Sequence, residues 1–249
     1  MAEANGILAE LKAGFFHWAA TGPDGSPDGA RLAVIFGGLV LAVLSAVGAW
    51  LYYRYRRERE EGELRVRPAA EAAGLAYAFR DPGLRKELGL RFGLGYEWQR
   101  YVLRGTVGGL RCAAYENVYR SKYFDLLNFF VCFRPDLPEL PEIDVKPRSL
   151  ATRDIFNSGG LRHVELQTVP GFTDEYEVRA AGEDTARRVL TQSAADFLRA
   201  RPGWALEARG GWIRVRVGKE GGMAPETLKS VVAEAASLAG LVAGAAGPR

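Results

Sequence analysis

Leu32–Tyr53 reads LAVIFGGLVLAVLSAVGAWLYY, and Arg54-Tyr55-Arg56-Arg57-Glu58-Arg59 closes it abruptly. The run carries no charged side chain. As a helix rising 1.5 Å per residue it would extend roughly 33 Å, the thickness of a bilayer's hydrocarbon core. The sequence therefore divides into an anchor and whatever the anchor holds. Its spacing of small residues, Gly38, Ala42 and Ala46 at intervals of four, places a stripe on one helix face. Such a stripe lets two helices approach closely, so a homodimer through these three positions is an expectation.

Lysine and arginine near a span set its direction. The C-terminal flank holds Arg54, Arg56, Arg57, Arg59, Arg65 and Arg67, whereas the N-terminal flank holds Arg31 and, further off, Lys12. The expectation is an N-terminus outside a bacterial inner membrane and a C-terminal part in the cytoplasm. Trp50, Tyr52, Tyr53 and Tyr55 suit the interfacial belt on that side. The rival reading is a signal peptide cut after Gly48, since Ala46-Val47-Gly48 is small-x-small and Leu32–Ser45 has the length of an h-region. The basic cluster and the continuing apolar Trp50-Leu51 argue for a retained anchor instead. Upstream, Ile7, Leu8, Leu11, Phe15, Phe16 and Trp18 recur at helical spacing behind a capping Asn5. They predict a short amphipathic helix within an extracytoplasmic segment, 1–31.

The division that follows is 32–53 as the span, 54–67 as a basic juxtamembrane linker, 68–242 as one cytoplasmic domain and 243–249 as a tail. At 249 residues, 48% hydrophobic and 25% charged, the chain after the anchor is long enough for one good core. A net charge of +3 without a dense basic stripe gives no support to nucleic-acid binding. Cys112 and Cys132 are the two cysteines, in separate strands and without a CxxC, so neither a disulfide scaffold nor a thiolate zinc site is expected.

Within the domain, Leu75–Phe79 alternates as a strand and Asp81-Pro82-Gly83 is a turn. Helical character follows over Leu84–Leu90. Gln99–Gly105 and Leu110–Tyr119 form a hairpin through Thr106–Gly109. Asp125–Phe133 is almost continuously apolar, which predicts a central strand covered on both faces. Ile143–Val145, Arg162–Gln167 and Glu175–Ala180 add strands. Ala186, Val189, Leu190, Ala194, Phe197 and Leu198 form one face of a helix capped by Asp184. Trp204–Ala208 and Trp212–Val217 flank Gly210-Gly211 as a second hairpin. Leu228, Val231, Val232, Ala235, Leu238 and Val242 line the last helix, opened by Pro225. Strands and helices mix without βαβ alternation. The expected fold class is α+β: a single transmembrane helix, then one mixed, mainly antiparallel sheet with a few helices.

Catalytic templates fail on the residues they need. Gly218-Lys219 is followed by Glu220, and position 213 is Ile, so no phosphate-binding loop forms. There is no GxSxG, no HExxH and no GxGxxG opening a helix. His17 lies before the span and His163 sits in a strand. No catalytic, cofactor or metal residue is assigned, and no cofactor is expected. Two residue patterns keep alternatives open. His163 with Glu165, Asp174, Glu175 and Glu177 would suit a hydrolase of unfamiliar type. Arg214 and Arg216, alternating with Ile213, Val215 and Val217, would suit an anionic-lipid-binding face. The leading expectation is a non-enzymatic interaction or scaffold domain with a protein partner.

The stretches Leu103-Arg104-Gly105, Leu140–Pro147, Val164-Glu165-Leu166, Pro170-Gly171-Phe172 to Arg179, Glu183–Thr191 and Pro202-Gly203-Trp204 together resemble a group of uncharacterised bacterial membrane-anchored proteins. In that group one or two membrane helices precede a domain of about this size, and the similarity spans 68–242. The resemblance implies topology and architecture, and it brings no activity, substrate or site residue. The chain departs from the group's pattern at Tyr101, where an Asn is expected, and at Tyr115-Glu116-Asn117.

Overall fold

A computed structural model describes residues 29–89, 96–120, 125–137, 140–150, 160–166, 168–218 and 223–246. The amphipathic helix expected before residue 20 lies outside them. The chain divides into two compact units after Arg59.

The first unit contains most of helix α1, Gly29–Glu61. Its large apolar side chains are exposed around the whole circumference, from Val34 at 75% through Phe36, Leu41 and Leu44 to Tyr53. An apolar helix without a covered face is the pattern of a helix surrounded by lipid. Past the apolar run, Arg54 pairs with Glu58 one turn on, so the basic stretch expected as a linker continues the helix.

The second unit begins as helix still, with a π-turn over Gly62–Val66 and then α2, Arg67–Ala72. Nine strands follow in one sheet: β1 Ala76–Ala78, β2 Tyr96–Val107, β3 Leu110–Arg120, β4 Asp125–Arg134, β5 Ile143–Pro147, β6 Arg162–His163, β7 Tyr176–Ala180, β8 Ala205–Arg209 and β9 Trp212–Val217. Short helices α3 Leu84–Glu87, α4 Phe172–Glu175, α5 Glu183–Val189 and α6 Gln192–Arg199 intervene, and α7, Leu228–Ala246, closes the chain. The strand order is β1-β2-β3-β4-β9-β8-β5-β7-β6, and every pairing is antiparallel. The unit is α+β. The β8–β9 hairpin, formed last, fills the place between β4 and β5 and joins the first four strands to the rest. Gly210 and Gly211 turn that hairpin at φ +58° and +77°, a conformation open to residues without a Cβ.

The main core lies on one sheet face, where Leu103, Val131, Phe133, Val145, Val178, Leu206 and Val215 meet the helices. Helix α7 is long and apolar enough to cross a membrane, but Leu228, Val232, Ala235, Leu238, Ala239 and Val242 are buried in this core, as in the central helix of a globular domain. The helical face expected from Ala186 to Leu198 is split between α5 and α6. The break falls at Leu190 and Thr191, whose Oγ1 accepts from Ala194 N and caps α6. Gly182, not Asp184, precedes α5. β6 is shorter than the expected strand at Arg162–Gln167, and Gln167 lies outside the described residues.

One irregularity organises the entry to the sheet. Register slips between Arg100 and Leu103 of β2, leaving Tyr101 in a bulge at φ +53°. Its backbone N–H, freed from the ladder, donates to Phe79 O at 2.9 Å. Its ring meets Phe79 at 5.9 Å between centroids and lies under Arg100 at 4.7 Å. An Asn at this position would tolerate the left-handed region better than Tyr. The ring compensates by packing on the π-turn: a Cβ on Gly62 would clash with Tyr77 Oη and stand 2.7 Å from Tyr101 Cε1. Gly62→Ala should therefore destabilise the domain by about 1–3 kcal/mol through overpacking. A lowered thermal midpoint of the full-length chain in detergent is the expected result, and an unchanged one would mean that the two tyrosines yield without cost.

Candidate functional site

The residues with chemical capacity gather on the opposite face of the sheet. Antiparallel register aligns Cys132 of β4 with Arg214 of β9, Arg214 with Glu207 of β8, Glu207 with Asp144 of β5, and Asp144 with Arg179 of β7. The next rank holds Lys146 opposite Glu177. The middle of this face is closed. Asp144 is 1% and Lys146 2% exposed, and Glu207 is buried. Over β2 and β3 the cover is α3, whose Leu84 packs with Val102, Ala113, Tyr115, Phe130 and Trp212 in a second apolar cluster.

Buried charges demand partners, and here the partners come from neighbouring strands. Arg214 Nη2 pairs with Glu207 Oε2 at 2.5 Å, both side chains nearly enclosed. Its guanidinium also lies 5.3 Å from the Phe130 ring centre and beside the Tyr115 hydroxyl. Burial works most strongly against its charge, but Glu207, Tyr115 and Cys132 together more than offset it and hold its pKa above the usual arginine range. Lys146 Nζ stands 3.6 Å from Glu177 Oε2, and Arg179 closes on Glu177 Oε1 at 2.7 Å. Burial pushes Glu177 upward, yet the Arg179 hydrogen bond and the Lys146 charge bring it below the ordinary carboxylate range. Two acidic residues, Glu207 and Asp144, stand opposite each other in the middle of the band, with Arg214 and Arg179 flanking them, and Arg214–Glu207 and Lys146–Glu177–Arg179 are its ion pairs. It can hold strands in register; it presents no free nucleophile.

The sequence candidates are dispersed. His163 is exposed on the edge strand β6, opposite Arg179 in register. Glu165 and Asp174 are exposed, Glu175 pairs with Arg199 at 3.2 Å, and Glu177 belongs to the buried band. Of the carboxylates expected beside His163, Glu175 and Glu177 pair with other side chains, and His163 makes no ion pair among the described residues. Arg214 and Arg216 do not form a lipid-facing basic surface. Arg214 is 13% exposed and committed to Glu207; Arg216 is 2% exposed and donates to Asn128 Oδ1, Gly203 O and Gly218 O. Strand alternation correctly places both on one face, but the sheet buries that face too. Asp144, Lys146 and Glu207 escaped notice for the same reason, because polar residues alternating in IDVKP and ALEAR read as solvent-facing.

Cys112 and Cys132 are buried and free, one on each side of the sheet. Among the described residues no group of three or more His, Cys, Asp or Glu is placed to hold a metal. The Pro170-Gly171-Phe172 motif is structural. Gly171 adopts φ +70°, Arg199 donates to Pro170 O and lies over Phe172, and Phe172 stacks on Tyr176 at 4.7 Å. The Tyr176 hydroxyl in turn donates to Leu198 O at 2.8 Å.

No protein-family model matches the chain, and no curated protein matches it. One solved structure shares the fold: the mycobacterial trehalose monomycolate transport factor A, TtfA. The TM-score is 0.51 at 13% sequence identity, over 76% of this chain and 97% of that one. At this identity the likeness concerns architecture.

Burial on the two faces has testable consequences. Arg214→Ala leaves Glu207 uncompensated and should cost about 3–5 kcal/mol in stability, whereas the paired replacement of both by apolar residues should cost less; denaturant unfolding of the two variants distinguishes them. Burial pushes the Cys112 thiol from 9.0 up to about 12. The folded state therefore binds its proton more tightly than the unfolded chain does, and stability falls as pH rises from 9.0 toward about 12. A thiol reagent at pH 8 should label neither cysteine until denaturant is added; prompt labelling of the native chain would contradict this burial.

Proposed function

We propose that the chain is a single-pass membrane protein whose α+β domain acts without catalysis, as an interaction or scaffold module in a membrane transport system. The observation that carries the anchoring is α1, whose large apolar side chains, from Val34 to Tyr53, are exposed. The positive cluster Arg54–Arg59 supports an N-terminus outside and the domain in the cytoplasm. The transport association draws on the fold shared with TtfA, by its name a factor in trehalose monomycolate transport. Membership in the resembled group of bacterial membrane-anchored proteins belongs to the same proposal. So does self-association through Gly38, Ala42 and Ala46; a Cβ added at Gly38 would meet nothing within 4 Å, so that side of the helix is open. Little supports the hydrolase and lipid-face readings: His163 makes no ion pair among the described residues, Arg214 is committed to Glu207, and Arg216 is buried.

Alkaline extraction and reporter fusions test the proposal. The full-length chain should stay in the membrane pellet, and a C-terminal green fluorescent protein should fluoresce while a C-terminal alkaline phosphatase stays inactive. Release into the supernatant would overturn anchoring, and an active phosphatase would reverse the orientation. Replacing Arg54, Arg56, Arg57 and Arg59 together by Gln should raise the phosphatase signal.

A further inference from the structure

At the end of the second face where the β2–β3 and β8–β9 turns lie, the matching of charges fails. Arg104 is held by Asp81 and Glu87, and Glu87 also takes Arg111 at 2.7 Å. At the far side Arg209 meets Glu142 at 3.4 Å. Between these pairs stands Arg134, directly opposite Arg111 in the β3–β4 register. Like charges set directly opposite on one face are destabilising. Arg134 is exposed, Arg111 is 58% exposed, and among the described residues no carboxylate lies within ion-pair distance of Arg134. Its guanidinium instead rests 6.0 Å from the centre of the buried Trp212 ring, and Trp212 is the cross-strand partner of Arg209.

We propose that Arg134, resting on Trp212 and opposed by Arg111, is the centre of a surface that docks an acidic segment of a partner protein. An arginine held against an aromatic ring keeps its planar fork oriented, and that fork matches a carboxylate in two parallel hydrogen bonds. Arginine is among the side chains on which interfaces concentrate their energy, and Trp212 serves beneath it as the buried support. A carboxylate placed between Arg111 and Arg134 would complete the alternation that Glu87 and Glu142 maintain on either side. The surface extends the reading of the domain as an interaction module and is independent of how the chain is anchored.

The probe is a fluorescently labelled oligoglutamate peptide, titrated by anisotropy against the full-length chain in phosphatidylcholine nanodiscs. Arg134→Glu should weaken binding by about tenfold or more, and Arg134→Lys, which keeps charge but loses the fork, should weaken it less. Arg188→Glu, an exposed change on α5, is the control and should leave binding within about twofold. Absence of peptide binding, or equal weakening by Arg134→Glu and Arg188→Glu, overturns the proposal. So does displacement of the peptide by inorganic phosphate at constant ionic strength where glutarate fails, since the surface would then select phosphate. Failure of the extraction test with intact Arg134-dependent binding would reject the anchor and leave this surface standing.

Discussion

The Arg214–Glu207 pair is the constraint on which the rest of the sheet depends. A nine-stranded sheet in which β9 and β8 sit between β4 and β5 must bring together strands far apart in sequence. The apolar core on one face supplies the driving force but is tolerant of small errors in alignment. The charged band on the other face is not. Slipping β8 against β9 by one residue would turn Glu207 away from Arg214 and leave a buried guanidinium unmatched. Lys146 with Glu177 imposes the same demand between β5 and β7. Whether such pairs add net stability is secondary; a wrong register costs more with them than without them. That difference singles out one pairing of the last hairpin.

A second constraint governs where the chain enters the sheet. The bulge at Tyr101 diverts a backbone donor to Phe79 O, and this ties β1's exit to β2. Arg100, next to the bulge, pairs with the buried Glu116 at 2.6 Å. Glu116 also accepts from Met223 N ahead of α7. A local distortion in one strand thereby fixes the approach of the closing helix. The positive φ of Tyr101 and the bare α-carbon of Gly62 belong to one arrangement, because the ring that accompanies the strained backbone occupies the space that a side chain on Gly62 would need.

Much of the fold was legible in the sequence. Both hairpins carry their Gly-Gly turns, Asp125–Phe133 announces a central strand by its apolar continuity, and Leu228–Val242 shows the helical period of α7. Legibility failed where a residue's role depends on what lies above it. Arg214 and Arg216 alternate with Ile213 and Val215 as a half-exposed strand would, and only the closure of the second face makes them interior. The split of α5 from α6 was hidden because Thr191 can cap a helix or sit within one, and the apolar face continues through it. The π-turn has no sequence signature at all; it reflects the packing of Tyr77 and Tyr101 on Gly62. The unmatched Arg134 was equally invisible, since its partner in opposition, Arg111, is assigned by strand register.

The distribution of exposed apolar surface separates the tasks of the two units. Among the described residues, large exposed hydrophobic side chains lie on α1, with Leu64 and the marginal Leu241 as the exceptions beyond it. Among the described residues the domain thus offers little apolar surface for a broad greasy contact. What it can offer is charge and shape, which favour selective and reversible contacts over permanent ones. Under the proposed anchoring, confinement to one membrane would compensate for the weaker affinity of such contacts by raising the effective concentration of any partner held there. An arginine held on a tryptophan fits that regime: rigid enough to discriminate, and too small in area to bind irreversibly when free in solution.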